Sequence, residues 1–84
     1  MQPQVEKQIF KFLATLPPKQ RAQIAIKILE LFSDPRPHDS IQLKGSENDF
    51  RVDIGEYRVI YSFTVKDGII ILKVDKRNDG QVYR

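Results

Sequence analysis

The fold is decided by residues 50–61, which read FRVDIGEYRVIY. On both sides of residues 55–56, apolar residues alternate with polar ones, which is the pattern of half-buried β-strands. A two-residue connection that begins with glycine is typical of a type II′ turn. Because turn type and loop length fix the register, Asp53 is predicted to lie opposite Arg58. The segment therefore predicts an antiparallel β-hairpin whose polar side carries charged residues.

A second hairpin is predicted at Asp67-Gly68, a dipeptide that favours a two-residue type I′ turn. Continuing the ladder from this turn places Arg58 directly opposite Arg77. The three strands then share one apolar face that helices must cover. Its predicted members are Phe50, Val52, Ile54, Tyr57, Val59, Tyr61, Phe63, Val65, Ile70, Leu72 and Val74.

The first part of the chain has helical periodicity. Apolar residues recur at steps of three and four from Val5 to Leu16. Pro17-Pro18 ends this helix, because the residue before a proline is disfavoured in the helical conformation. A second helix is predicted from about Lys19 to Phe32. The expected fold class is α+β, with an N-terminal αα-hairpin packed on one face of a three- to four-stranded antiparallel sheet.

Length and composition exclude several classes of site. The 84 residues are expected to form one domain, residues 1–84. The absence of cysteine excludes disulfides and thiolate chemistry, and the single histidine, His38, excludes a poly-histidine metal site. His38 lies in a proline-rich loop and is interpreted as a solvated residue. No apolar run approaches the ~20 residues that span a bilayer and no signal peptide is visible, so a cytoplasmic protein without membrane contact is expected.

Charge gives only a weak indication of the partner. The net charge of +3 allows an anionic partner without identifying one. Asp53, Asp75 and Asp79 each have an arginine or lysine neighbour in the sequence or the predicted ladder. A two-metal site needs carboxylates that converge without cations between them, so no metal or other cofactor is expected.

The polar side of the predicted sheet carries the candidate functional residues. One predicted row joins Asp53, Arg58 and Arg77. Directly opposed arginines repel by a few tenths to ~1 kcal/mol unless something neutralises them. Two interpretations stay open on spacing alone: a solvated ion lattice, which is common and weak, or guanidinium groups that converge on a phosphate. A neighbouring row joins Arg51, Ile60 and Asp75.

An ordered set of short motifs runs through the chain. The segments are LKG at 43–45, FRV at 50–52, GEYRVIY at 55–61, KR at 76–77 and VY at 82–83. In this order they resemble the RelE/ParE superfamily of bacterial toxins, the toxin halves of type II toxin–antitoxin pairs. The resemblance covers essentially the whole chain and implies the RelE-like fold.

The resemblance implies a metal-independent endoribonuclease that cuts messenger RNA on the ribosome and so inhibits translation. The 2′-hydroxyl of the RNA would attack the adjacent phosphate and leave a 2′,3′-cyclic phosphate. Arg58 would stabilise the transition-state phosphate, Arg77 would contact the phosphate and assist the leaving group, and Tyr83 would stack on or orient the base. Further RNA- or phosphate-binding candidates are Arg51, Lys44 and Lys76. Lys44 is equally consistent with a simple turn residue.

Two features depart from the family pattern. Asp53 stands where the best-known RelE-type toxin has a lysine. It is expected to hold Arg58 in place as an ion-pair support rather than to act as a base, because a carboxylate paired with arginine is stabilised in its charged form. The family also begins with an edge strand before the first helix, and residues 1–4 are too short for one. Either the true start of the chain lies upstream, or the sheet lacks an edge strand, which a partner strand could fill.

The implied partners are a cognate antitoxin, messenger RNA and the ribosome. The toxin and antitoxin would form a hetero-oligomer, and the broad apolar face of the second helix is a candidate seat for the antitoxin. An alternative remains open: a ParE-like toxin that binds a protein target such as DNA gyrase without cutting RNA.

Overall fold

A short strand and two helices come first in the chain. In the computed structural model, which describes residues 4–77, β1 (Gln4–Val5) precedes α1 (Lys7–Ala14) and α2 (Pro18–Ser33). The break between the helices falls at Pro17-Pro18, as predicted. Pro18 is the first residue of α2, a position at which proline is tolerated. Within the described residues, no helix is long and apolar enough to cross a membrane.

The remaining strands complete a five-stranded sheet. They are β2 (Ile41–Gln42), β3 (Asp49–Ile54), β4 (Tyr57–Thr64) and β5 (Gly68–Lys76), and the strand order is β1-β5-β4-β3-β2. Neighbouring strands from β2 to β5 are antiparallel, whereas β1 runs parallel to β5. The predicted α+β class, with an αα-hairpin on an antiparallel sheet, is confirmed.

Both edges of the sheet differ from the prediction. The prediction that the residues before the first helix are too short for an edge strand is wrong, because Gln4 and Val5 pair with Ile70 and Ile71 of β5. Val5 therefore belongs to β1 rather than to the first helix. At the other edge, β2 lies in a segment predicted to be a loop. Strands of two residues are too short to show an alternating pattern, so neither could be recognised in the sequence.

The register of the β3–β4 hairpin is confirmed. Asp53 lies opposite Arg58, and Ile54 lies opposite Tyr57 across the turn. Gly55 has a φ of 57°, and no non-glycine residue among residues 4–77 has a positive φ. A positive φ at the first turn residue alone is the type II′ pattern, which explains why glycine precedes Glu56.

The predicted register of the β4–β5 hairpin is wrong. Thr64 pairs with Gly68, so the loop contains residues 65–67 rather than the predicted two residues. The loop is closed by a hydrogen bond of 2.9 Å from the Asp67 amide to Thr64 Oγ1. Gly68, the first residue of β5, has a φ of 78°, a conformation that glycine adopts at little steric cost.

A β-bulge then shifts the register again. Ile60 pairs with Lys73 whereas Tyr61 pairs with Ile71, so Leu72 is the extra residue. Between the loop and the bulge, the side chains of β5 lie on the faces opposite to those predicted. From Lys73 onward they lie on the predicted faces, but each residue pairs with a β4 residue two positions away from its predicted partner.

The buried core reflects this register. Ile69 and Ile71 are buried in place of the predicted Ile70 and Leu72, while Val65 is 79% exposed. The core as a whole lies between the helices and the sheet. Its buried residues are Ile9, Leu13, Ile24, Ile28, Leu31, Phe50, Val52, Val59, Tyr61, Ile69, Ile71 and Val74.

The loop between α2 and β2 is fastened to this core. Tyr61 is fully buried, stacks on Phe50 at 5.7 Å and donates a 2.7 Å hydrogen bond to the Pro35 carbonyl oxygen. The guanidinium group of Arg36 lies 5.2 Å above the centre of the Phe50 ring. Burial raises the pKa of Tyr61 above its ordinary value. These contacts hold the loop that leads into β2.

Candidate functional site

The candidate site lies at the end of the sheet nearest the Gly55–Glu56 turn. Asp53 on β3 and Arg58 on β4 alternate with buried core residues, so they occupy the face opposite the helices. Arg77 follows β5 and reaches the same end of the sheet. The three side chains therefore come from three separate segments of the sheet.

The carboxylate of Asp53 is the meeting point of the two arginines. Arg58 Nε donates a hydrogen bond of 3.2 Å to Asp53 Oδ1, and Arg77 Nε lies 3.6 Å from Asp53 Oδ2. The side chains of Asp53, Arg58 and Arg77 are 30%, 17% and 33% exposed. The cluster is thus partly desolvated, which strengthens its electrostatic interactions relative to a fully solvated surface pair.

Two further hydrogen bonds anchor Arg77 to the turn. Its Nη1 donates to the carbonyl oxygen of Gly55 at 3.1 Å, and its backbone amide donates to the carbonyl oxygen of Glu56 at 2.7 Å. The guanidinium group is consequently fixed between a backbone carbonyl and a carboxylate. This arrangement orders a long side chain that would otherwise sample many rotamers.

The predicted row of Asp53, Arg58 and Arg77 is corrected by the structure. Arg58 lies opposite Asp53 on one side and Asp75 on the other, because the second register is displaced by two residues. The expected direct opposition of two arginines is therefore wrong. The two arginines are nevertheless brought together, through their shared carboxylate.

The neighbouring row changes in the same way. Arg51 and Ile60 are paired as predicted, but the third member is Lys73 rather than Asp75. Lys73 Nζ lies 3.2 Å from Asp75 Oδ2. Positive and negative side chains therefore alternate on this face, as in the ion-lattice interpretation. Nothing in residues 4–77 groups three potential metal ligands.

The other predicted site residues lie at different distances from the cluster. Lys76 is exposed beside Arg77, its Nζ is 3.8 Å from Glu56 Oε1, and both line a cavity of about 210 Å³. Lys44 lies in the turn before β3, near the Asp49 end of that strand, whereas Asp53 lies near its other end. At ~3.3 Å per residue, Asp49 and Asp53 are roughly 13 Å apart along the strand. Lys44 is therefore not brought to the arginines. Tyr83 lies outside the described residues.

Sequence reasoning missed one part of the site and misplaced a residue beside it. The Gly55 carbonyl has no sequence signal, since any residue carries one, and its contact with Arg77 depends on the register of β5. The predicted ladder puts Asp75, which lies beside the site, opposite Ile60, whereas the structure places it opposite Arg58.

The arrangement is chemically suited to binding an anion. Two guanidinium groups that already converge on a carboxylate can bind the oxygens of a phosphate in the same way, because arginine presents a rigid fork of donors. Such donors stabilise charge that develops during a reaction more effectively when they are fixed beforehand.

Comparison with known proteins identifies the family. The family model for the ParE toxin of the type II toxin–antitoxin system parDE matches residues 3–80. The chain belongs to the RelE/ParE superfamily. Within this superfamily, the protein named "Putative toxin RelE1" from Methanocaldococcus jannaschii is 34% identical over 80 residues, which cover 92% of this chain and 89% of the relative.

Solved RelE structures share the fold. The archaeal RelE–RelB complex from Pyrococcus horikoshii OT3 contains a chain with a TM-score of 0.80 and 33% identity, and the match covers 93% of this chain and 96% of that chain. The isolated E. coli RelE toxin has a TM-score of 0.77 and 20% identity, with 96% and 88% covered, which supports the fold alone. The predicted membership of the RelE/ParE superfamily is confirmed.

Proposed function

We propose that this protein is the toxin of a type II toxin–antitoxin system and cuts messenger RNA on the ribosome, which inhibits translation. One observation carries the proposal. In a RelE/ParE-type sheet, Arg58 on β4 and Arg77, which follows β5, converge on one carboxylate, Asp53, and Arg77 is also fixed on the Gly55 carbonyl. Such a pair of preorganised guanidinium groups is what a phosphate-centred reaction requires.

The proposed reaction needs no external nucleophile. The 2′-oxygen of the RNA bonds to the adjacent phosphorus as its proton passes to water, and the bond from phosphorus to the 5′-oxygen breaks as that oxygen takes a proton from water, so no net proton is released. The products are a 2′,3′-cyclic phosphate and a 5′-hydroxyl. Arg58 stabilises the negative charge that accumulates on the phosphorane, and Arg77 stabilises the phosphate near the departing oxygen.

Additional positive side chains would position the RNA without taking part in the reaction. Arg51 lies on the same face as Asp53, two residues away on β3, and Lys76 lies next to Arg77. Contacts of this type fix the register of a nucleic acid and make its binding salt-dependent. Lys44 is a contact for RNA beyond the cluster, and Tyr83 supplies an aromatic surface for a base.

A cognate antitoxin is the proposed protein partner, because a similar chain was solved as a RelE–RelB complex. In the structure, the apolar surface of α2 that is available to the antitoxin is smaller than predicted. Ile24, Ile28 and Leu31 are buried in the core, whereas Ile26 and Leu29 are 56% and 63% exposed. These two line a cavity of about 520 Å³ that also includes Pro37. An apolar segment of the antitoxin would cover this flank of α2.

Mapping of RNA ends in cells tests the proposed activity. After induction of the protein, primer extension on an abundant transcript should show new 5′ ends within the translated region. The Arg58→Ala variant should give no such ends at equal protein levels. Intact transcripts in growth-arrested cells would contradict the endoribonuclease.

The alternative is a toxin that binds a protein such as DNA gyrase without cutting RNA. It is supported by the description of the matching family model as a ParE toxin and by the presence of Asp53 at the position of a lysine. Plasmid supercoiling in the same induced cells separates the two activities. A gyrase-directed toxin alters supercoiling before protein synthesis declines, whereas the endoribonuclease first stops incorporation of labelled amino acids.

A further inference from the structure

We infer that Asp53 is a positioning residue that holds Arg58 and Arg77 as a single phosphate-binding unit, and that it weakens substrate binding while it accelerates turnover. The inference rests on the proposed function, in which both arginines contact the phosphate. It assigns to Asp53 two effects of opposite sign, which no simple structural role would produce.

The effect of Asp53 on turnover follows from the positions of the two arginines in the fold. Arg58 lies within β4, and Arg77 follows the end of β5 two register positions beyond the residue that faces Arg58. Strand pairing therefore makes them diagonal neighbours on one face, and leaves the relative position of their guanidinium groups to the side-chain contacts. Asp53 contacts both, with Oδ1 at 3.2 Å from Arg58 Nε and Oδ2 at 3.6 Å from Arg77 Nε.

The bridging carboxylate also offsets the repulsion between two cations at close approach. Without it, each guanidinium group lowers its energy by moving away from the other. Arg77 would keep its backbone hydrogen bond to Gly55, but Arg58 would lose its 3.2 Å partner on Asp53. Displacements of about 1 Å in a positioned group reduce reaction rates by ~10²-fold, so the loss should appear in turnover.

The effect of Asp53 on substrate binding follows from its negative charge. An incoming RNA phosphate is negative and seeks the same guanidinium donors, so it meets repulsion and competition from the carboxylate. An uncharged residue of the same shape would remove both. Binding should then become tighter and more dependent on salt, with the slope of log K against log salt becoming more negative by about 1.

Asp75 provides a matched control. It lies on the same face, directly opposite Arg58 on the side away from Asp53. Its ion pair within the described residues is with Lys73, at 3.2 Å, and its side chain is 40% exposed. Asp75→Asn therefore changes the local charge by the same amount as Asp53→Asn without removing the bridge between the arginines.

The experiment compares the wild type with Asp53→Asn, Asp75→Asn and Asp53→Glu on programmed ribosomes. Binding is measured with messenger RNA that carries a 2′-deoxynucleotide at the cleavage position and so cannot react. Cleavage is measured under single-turnover conditions with the matching all-ribose RNA. Thermal unfolding of each variant confirms that the fold is retained.

Asp53→Asn should bind the uncleavable RNA more tightly and cleave about 10²-fold more slowly. Asp75→Asn should show the gain in binding with a cleavage rate within about twofold of the wild type. Asp53→Glu restores the charge, so it should lose the gain in binding and recover part of the cleavage rate.

Equal cleavage rates for Asp53→Asn and Asp75→Asn would overturn the positioning role, and weaker binding by Asp53→Asn would overturn the competition. Either result leaves the proposed function standing if Arg58→Ala abolishes cleavage. Full cleavage by Arg58→Ala would instead remove the proposed function itself.

Discussion

Arg77 reaches across the β3–β4 turn, and its Nη1 donates a 3.1 Å hydrogen bond to the carbonyl oxygen of Gly55. The turn that sets the register of the first hairpin therefore also fixes a side chain from the end of the last strand. Because Gly55 adopts a φ of 57°, the shape of the turn depends on glycine. The local sequence of the turn and the geometry of the arginine cluster are thus linked.

We expect Gly55→Ala to lower both stability and activity. A left-handed conformation costs a non-glycine residue about 1–2 kcal/mol, and relief of this strain would move the carbonyl that binds Arg77. Space is not the obstacle, because a Cβ at position 55 would meet only the Gln23 side chain, at 4.0 Å. Urea denaturation and the single-turnover cleavage assay measure the two effects.

Gly45→Ala is the control for this prediction. Gly45 also has a left-handed φ, 83°, and a Cβ there would have no neighbour within 4 Å. The two variants should lose similar stability, but only Gly55→Ala should lose activity. A comparable loss of cleavage in Gly45→Ala would show that the strain acts through the whole fold rather than through Arg77.

Replacement of Arg58 by alanine should remove activity without unfolding the protein. Loss of one positioned donor to a charged transition state costs ~10²–10³ in rate. Asp53 keeps its contact with Arg77 in this variant, so it is not left without a positive neighbour. Lys73→Ala removes a positive charge from the adjacent row and serves as the control, with a cleavage rate close to that of the wild type. Growth of cells that express each variant gives a second measurement.

Tyr61→Phe should reduce the free energy of unfolding by about 0.5–1.5 kcal/mol at neutral pH, through loss of the hydrogen bond to Pro35. Burial raises the pKa of Tyr61 above 10.0, so its contribution to stability is complete below that pH and declines as the pH rises further. The stability difference between wild type and Tyr61→Phe should therefore shrink in alkaline solution. Urea unfolding at pH 7 to 11 tests this, and a constant difference would contradict it.

Acidic substitutions at Ile26 and Leu29 should prevent neutralisation by the antitoxin. Both side chains are more than half exposed, so aspartate at these positions disturbs little of the core. Loss of apolar anchors at an interface centre typically costs 2 kcal/mol or more, which corresponds to a ~30-fold weaker complex. Titration calorimetry with the cognate antitoxin measures this loss.

Phe10→Asp is the matched control for the antitoxin surface. Phe10 is 62% exposed on α1, so the substitution has the same chemistry on the other helix. It should leave antitoxin binding close to that of the wild type. Full neutralisation of the Ile26→Asp/Leu29→Asp variant would exclude this flank of α2 as the seat.

The sequence predicts the first hairpin and not the second for a physical reason. At residues 55–56 the glycine comes first, and only one common hairpin turn has a positive φ at that position alone. Asp67-Gly68 fits either a two-residue loop or the junction between a three-residue loop and the strand that follows it. The choice depends on the hydrogen bond to Thr64 and on burial of Ile69 and Ile71, and neither can be read from the dipeptide.

The candidate site, too, can be predicted from the sequence only in part. Asp53 and Arg58 are neighbours across the hairpin that the sequence predicts correctly, so their ion pair could be expected. Arg77 was selected by residue type and resemblance, but the predicted reason for its position was wrong. Its location depends on the loop, the bulge and a backbone carbonyl, which only the folded chain brings together.

The bulge at Leu72 has a consequence for how the sheet tolerates a deletion. Leu72 is 37% exposed and stands between Ile71, which faces Tyr61, and Lys73, which faces Ile60. Deletion of this one residue would turn the interrupted ladder into a regular one and leave every pair on either side of it unchanged. Leu72 is thus a position at which β5 could lose one residue without moving Asp75 from its place opposite Arg58 or Ile71 from its place opposite Tyr61.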